Sequence, residues 1–182
     1  NGSGKTSFLK LISGIYEPSK GVIEKNVEVY PMIQKSFIVA NELSGLDAAK
    51  SHYLLINNSL SGFEDFLEDI VTFSGLGEFI TFPIKTYSEG MASRLLFSLL
   101  TYHSHDCLAL DEGLGTGDQS FYNKAAKRLD GFIQKSGTLI FASHSNELLK
   151  QFCTRGLVFS KGSIIFDGTL TNALLYYAEN FS

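Results

Sequence analysis

At 182 residues and 44% apolar content, the chain is long enough for one globular domain with a sizeable core and too short for a second full one. A formal charge of −4 with mixed signs leaves no basic stripe, which weighs against nucleic-acid and anionic-lipid partners. The two cysteines, Cys107 and Cys153, belong to no CxxC or Cys/His array, so the expectation is a reduced intracellular protein with two structural thiols.

In chain order, SFLKLISGI at 7–15 spaces Phe8, Leu11, Ile12 and Ile15 as on a helix, which should stop near 16–21, where Pro18 and Gly21 break it. GVIEKNVEVY at 21–30 alternates in short pieces like strands. From 41 to 103 there is almost no strand signal but several amphipathic helical patterns, including 47–57 and 63–73, which predicts a helical subdomain inserted into the fold. CLAL at 107–110, TLIFAS at 138–143, GLVFS at 156–160 and SIIF at 163–166 are short apolar runs, several of which read as buried strands of one sheet. Helical patterns at 121–135, 147–152 and 170–178 alternate with them, so the fold class is α/β. The longest apolar stretches, such as LLFSLL at 95–100, fall far short of the roughly 20 residues a spanning helix needs. Any membrane association would come through a partner.

Chemistry enters at the second residue. Gly2-Ser3-Gly4-Lys5-Thr6 fits the end of GxxxxGK[ST]. Small residues let backbone N–H groups close on phosphate oxygens, Lys5 offers a point charge to the β and γ phosphates, and the Thr6 hydroxyl can ligate Mg²⁺. CLALDE puts Asp111 and Glu112 at the end of an apolar strand, where an aspartate can hold Mg²⁺ through water and a glutamate can deprotonate an attacking water. LIFASH ends another run with His144, whose imidazole could contact a γ phosphate if the two strands lie side by side. In TYSEGMASRLLFSLL, Ser88 and Gly90 open an amphipathic helix carrying Met91, Leu95, Leu96 and Leu99, and its N-terminus offers free N–H groups to an anion. Each feature alone has a plain structural alternative: a glycine turn, an acid at a strand end, a structural histidine, an ordinary cap.

Taken in order, phosphate loop, helical insert, Ser-x-Gly cap, apolar-DE and apolar-Ser-His resemble the nucleotide-binding domains of ABC ATPases. The resemblance extends over nearly the whole chain. YSEGMASRLLFS looks most like the variant signature of the branch that exports capsule, O-antigen or teichoic-acid polymers, and ELSG at 42–45 matches a turn those ATPases carry just beyond their glutamine loop. The implied fold is a P-loop NTPase of ABC type over 1–182, a mixed sheet flanked by helices with an inserted helical subdomain at about 41–103.

The resemblance also implies roles. Gly2, Ser3, Gly4, Lys5, Thr6 and Ser7 would form the phosphate loop, with Thr6 and Asp111 on Mg²⁺, Glu112 as catalytic base and His144 sensing the γ phosphate. Ser88 and Gly90 would bind ATP held by the opposite subunit of a homodimer, and Asp118 of GTGD would join the two sites. Gln34 is the candidate for the glutamine that touches Mg²⁺ and water and relays closure to an integral membrane permease subunit, with an ordinary loop glutamine as the alternative. The expected setting is the cytoplasmic face of the plasma membrane, held there through the permease.

Two departures stand out. Glu89 occupies a position where relatives carry Gly or Ser, and like-charge repulsion with phosphate predicts that it faces solvent or a basic neighbour. The first loop glycine, the strand before it and an adenine-stacking aromatic are missing, so the expectation is a fragment of a longer protein, with N-terminal strands absent, that binds ATP poorly alone. The absence of a β domain after the cassette favours the capsule-like arrangement if Ser182 is the true terminus. The rival readings are a soluble ABC ATPase of DNA repair or translation, against which stand the lack of heptads and of a second phosphate loop, and a nonenzymatic regulatory module. HSHDC at 103–107 reads as a solvated turn rather than a metal site, NKAA at 123–126 lacks the aspartate of a GTPase motif, and Tyr176 and Tyr177 read as packing of a C-terminal helix.

Overall fold

The computed structural model describes residues 2–32, 42–111, 119–135 and 137–181. The chain divides into two compact units, one built from Asn1–Ile33, His105–Glu112 and Ser136–Ser182, the other from Gln34–Ser104 and Gly113–Lys135.

The first unit begins with helix α1 (Lys5–Ile12) and strand β1 (Val29–Met32). A Schellman closure ends α1, with the Ile15 N–H donating to Lys10 O and the Gly14 N–H to Leu11 O. The helix therefore stops before Ile15, which is exposed, and well short of Pro18. Residues 21–28, expected as strand pieces, are irregular, and only Val29–Met32 pairs. Their alternation has no apolar face to bury: Val22 is almost wholly exposed and Glu24, Lys25 and Asn26 are solvated.

In the second unit lie α2 (Gly45–Asn57), α3 (Phe63–Ser74), two short 3-10 turns (Gly77–Thr81 and Ile84–Thr86) and α4 (Glu89–Tyr102). Its core joins Ala49, Tyr53, Phe66, Ile70, Leu76, Ile80, Ile84, Leu95 and Leu99. From Leu95 to Thr101 every residue of α4 is buried, as a helix surrounded on all sides requires. The two hydroxyls in that stretch are satisfied by back-bonding, Ser98 to Arg94 O and Thr101 to Phe97 O, both at 2.6 Å.

Helix α5 (Gln119–Gln134), read from sequence with the α/β layer, groups with these helices instead. Phe73, Phe97 and Phe121 join α3, α4 and α5 with ring centroids 5.6 to 5.9 Å apart. Arg128 lies 3.7 Å over the Phe73 ring and bonds Asp69, adding a cation–π contact and an ion pair between α3 and α5.

Back in the first unit are β2 (Cys107–Asp111), β3 (Thr138–Ala142), α6 (Asn146–Phe152), β4 (Arg155–Ser160), β5 (Ser163–Thr169) and α7 (Leu170–Phe181). Strands β1, β2 and β3 form a parallel sheet in that order. The unbroken apolar run of β2 makes it the central strand, buried from Cys107 to Leu110, while Pro31, which cannot donate to a ladder, sits in β1 at the side. Leu9 of α1 packs against Ala109 and Ala142, fixing the helix over the sheet. Among the described residues, strands β4 and β5 do not join that sheet; they pair with each other, antiparallel, and only Val158 of the two is buried. Tyr176 of α7 stacks on Phe166 of β5, whereas Tyr177 is half exposed and stacks on Phe181 of its own helix. Among the described residues no helix is long and apolar enough to cross a membrane.

Candidate functional site

Gly4 is the N-cap of α1 and lies in the left-handed region, at φ 106° and ψ 0°, with no side chain to cap the helix. The first backbone N–H groups of α1 therefore have no intrahelical acceptor and face the helix start with its positive dipole end. Lys5 Nζ lies 3.4 Å from Ser3 Oγ, so the ammonium stays beside the loop. Thr6 Oγ1 donates to Asp111 Oδ2 at 2.6 Å. That pair is possible because Leu9, one turn further on, is locked against Ala109 of the strand that ends in Asp111.

Strands β2 and β3 are neighbours, with Asp111 opposite Ala142. His144, exposed and two residues past the end of β3, thus lies beyond the same carboxyl end of the sheet as Asp111, and the two strands lie side by side as its sequence reading required. Ser143 and Ser145 around it are ordered by a 3.0 Å bond from Ser145 N–H to Ser143 Oγ, and Ser145 caps α6 by accepting from Leu148 N–H.

In the second unit Ser88 caps α4, its side chain accepting from Met91 N–H at 3.2 Å. Glu89 is exposed, as its charge demanded, and Gly90 is partly buried in the first turn. Gln34, Glu112 and Asp118 lie outside the described residues.

The HSHDC run is not a wholly solvated turn. His105 stacks on Tyr30 with centroids 4.0 Å apart, and His103 packs among Tyr53, Phe66 and Tyr102, where burial lowers its pKa. Among the described residues no group of three or more His, Cys, Asp or Glu side chains could hold a metal ion. Burial pushes both thiols up, so neither Cys107 nor Cys153 has the character of a nucleophile.

Sequence reasoning missed one participant. The turn between β4 and β5 abuts the loop: the Gly162 N–H donates to Ser3 O at 2.9 Å, and a Cβ on Gly4 would stand 3.0 Å from Gly162 Cα. The signal was Lys161-Gly162 between two apolar runs, a hairpin turn that shows nothing of what it touches.

The donors around Asp111 suit a hard cation. A hydroxyl and a carboxylate are already within bonding distance, oxygen ligands of the kind Mg²⁺ takes when it also binds phosphate. A glycine loop opening a helix beside the carboxyl end of a parallel sheet defines the class: a P-loop nucleotide-binding α/β protein. Comparison with known proteins narrows this. Residues 1–115 match the family model described as ABC transporter, and the chain belongs to that family.

Among curated relatives, it is 37% identical over 155 residues to the O-antigen export system ATP-binding protein RfbE of Yersinia enterocolitica, covering 85% of this chain and 65% of the relative. It is 38% identical over 155 residues to the teichoic acids export ATP-binding protein TagH of Enterococcus faecalis, covering 85% of this chain and 34% of that protein. The chain thus spans less than two thirds of the length of either. Among solved structures, an ATP-binding subunit of an ABC transporter superposes over 100% of this chain and 80% of its own, with a TM-score of 0.82 at 16% identity. The RNase-L inhibitor superposes over 98% of this chain and 35% of its own, with a TM-score of 0.73 at 17% identity. Both likenesses are of fold.

Proposed function

We propose that this chain is the ATP-binding and ATP-hydrolysing part of an exporter of cell-surface polysaccharide. The observation that carries the reading is the Thr6–Asp111 bond, which joins the phosphate loop to the acidic strand end in a family member whose relatives are named for O-antigen and teichoic acid export.

In this reading the N–H groups of residues 2–7 and the Lys5 ammonium surround the β and γ phosphates of ATP. Thr6, Asp111 and Gln34 would hold Mg²⁺, Asp111 through water. When bound, that ion neutralises charge developing on the transferred phosphoryl group. Glu112 takes the proton of the attacking water, and His144 contacts the γ phosphate from the end of β3. Ser88 and Gly90 address the nucleotide of a second copy, with Asp118 at the dimer contact.

Permease subunits would receive the closure through the segment from Gln34 to Lys50, and the chain would work at the cytoplasmic face of the membrane. An apolar surface supports this. Leu43, Phe79 and Phe82 are 37%, 56% and 51% exposed. The Leu43 and Phe82 segments are zipped together by Ile84 N–H to Leu43 O and Gly45 N–H to Phe82 O, and the Phe79 and Phe82 rings meet with centroids 5.8 Å apart. The lack of a basic stripe supports a chain without a nucleic-acid partner.

The test is a Lys5→Ala allele in the native cell, with surface polysaccharide and intracellular lipid-linked polymer measured together. Loss of the first and accumulation of the second are expected; unchanged surface polymer overturns the assignment.

A further inference from the structure

The turn between β4 and β5 has no role in the chemistry described above, yet it is pressed against the loop. Lys161 and Gly162 have φ of 49° and 80°, the pair of positive values that a two-residue hairpin turn of the favoured twist requires. This conformation aims the Gly162 N–H at Ser3 O, 2.9 Å away. The Ser3–Gly4 peptide is planar and trans, so its C=O and N–H point in opposite directions. Fixing Ser3 O on the turn therefore turns the Gly4 N–H away from it. Contact reinforces the bond, because a Cβ on Gly4 would lie 3.0 Å from Gly162 Cα and 3.5 Å from Gly162 N. Gly4 itself has no side-chain cap to hold its conformation.

We infer that Gly162 is a positioning residue for nucleotide binding: its left-handed conformation holds the Ser3–Gly4 peptide so that the Gly4 N–H is set for phosphate before nucleotide arrives. The inference rests on the reading of residues 2–7 as a phosphate loop. A loop held in its bound shape loses less conformational freedom on binding, so the turn acts on affinity without touching the ligand.

The geometry supplies a clean probe. A Cβ on Gly162 meets nothing within 4 Å, so a substitution there adds no clash and changes only the cost of the positive φ. That cost is small for Asn, larger for Ala and largest for β-branched Val. ADP affinity is measured by calorimetry on the full-length protein and on Gly162→Asn, Gly162→Ala and Gly162→Val, each below its own unfolding midpoint. Gly162→Val should weaken ADP about tenfold and Gly162→Ala about threefold, with Gly162→Asn recovering most of the loss. In amide NMR spectra the ADP-induced shift of the Gly4 N–H should shrink in the same order.

ADP affinity and Gly4 shift equal to wild type in Gly162→Ala, with a lowered unfolding midpoint, overturn the inference, since the turn would then serve stability alone. Gly162→Ala carries that comparison even where Gly162→Val does not fold. Lys5→Ala separates the two levels. If it binds ADP like wild type, the phosphate-loop reading falls; if it loses ADP while the Gly162 series does not, only the positioning role falls.

Discussion

The Thr6 hydroxyl donates a 2.6 Å hydrogen bond to Asp111 Oδ2, linking residues 105 positions apart in the chain. It ties the first turn of α1 to the end of β2, and it brings the two oxygen groups proposed for Mg²⁺ to one point. Thr6→Val keeps the shape and removes the hydroxyl. It should lower Mg²⁺-dependent ATP hydrolysis about 10–100-fold, as loss of a group that holds or orients a metal does. Thr6→Ser should retain most activity. A Mg²⁺ titration of hydrolysis in the full-length protein checks both.

Glu112 follows Asp111 directly, and its proposed task is to accept a proton from water. Glu112→Gln keeps the size and removes the base. Turnover should fall by roughly 10²–10⁴-fold while ATP binding persists. Hydrolysis within a few fold of wild type would remove Glu112 from the mechanism.

Ser88 has two tasks that one series can separate. Its side chain caps α4 through Met91 N–H, and its proposed second role is to meet a phosphate. Ser88→Ala should cost about 1 kcal/mol of stability in urea unfolding, the usual value of such a cap. Ser88→Asp keeps the cap but sets a carboxylate against phosphate, so stability should hold while ATPase activity is lost. Glu89, by contrast, is already exposed, and Glu89→Ser should leave activity within a few fold; a large rise would show that its charge opposes the nucleotide.

The stability of the helical unit should depend on pH through His103. Burial lowers its pKa below the ordinary histidine value of 6.5, and its Nε2 lies 3.3 Å from Asn57 Nδ2, an amide donor that favours the neutral ring. The unfolded chain therefore binds the proton more readily than the folded one. The His103 contribution is fully present above pH 6.5 and declines as pH falls from there through the lower folded-state pKa. Urea unfolding between about pH 5 and 8 should show that loss, and His103→Gln should flatten it. An unchanged slope in the variant would assign the dependence elsewhere.

The helices of 45–102 were legible because their apolar residues recur at helical spacing and Ser88 announces the start of α4; α2 starts at Gly45 rather than at the expected 47, after a cap that the Ser44 side chain makes to Asp47 N–H. Strand β2 was legible because a run buried on both faces has no polar residue to interrupt it. The same logic left open which runs share that sheet, and GLVFS and SIIF do not pair with β2 or β3. A short apolar run does not say which sheet it joins, and these two close on each other through a two-residue turn. Periodicity also carried α1 past Ser13, because it does not register a closure made by backbone N–H groups around Gly14.

By itself, then, the sequence determined the chemical inventory: a glycine loop with Lys5 and Thr6, an acid pair after CLAL, a histidine after LIFAS, a Ser-x-Gly helix start, and the family these spell in order. These are local patterns, set by backbone sterics and side-chain chemistry. Only the tertiary structure decided that Thr6 bonds Asp111, that β3 lies beside β2 so that His144 shares the carboxyl end of the sheet with Asp111, and that Gly162 N–H bonds Ser3 O. The reason is that each of these relations spans roughly 30–160 residues and depends on how helices and strands stack, which no local spacing encodes.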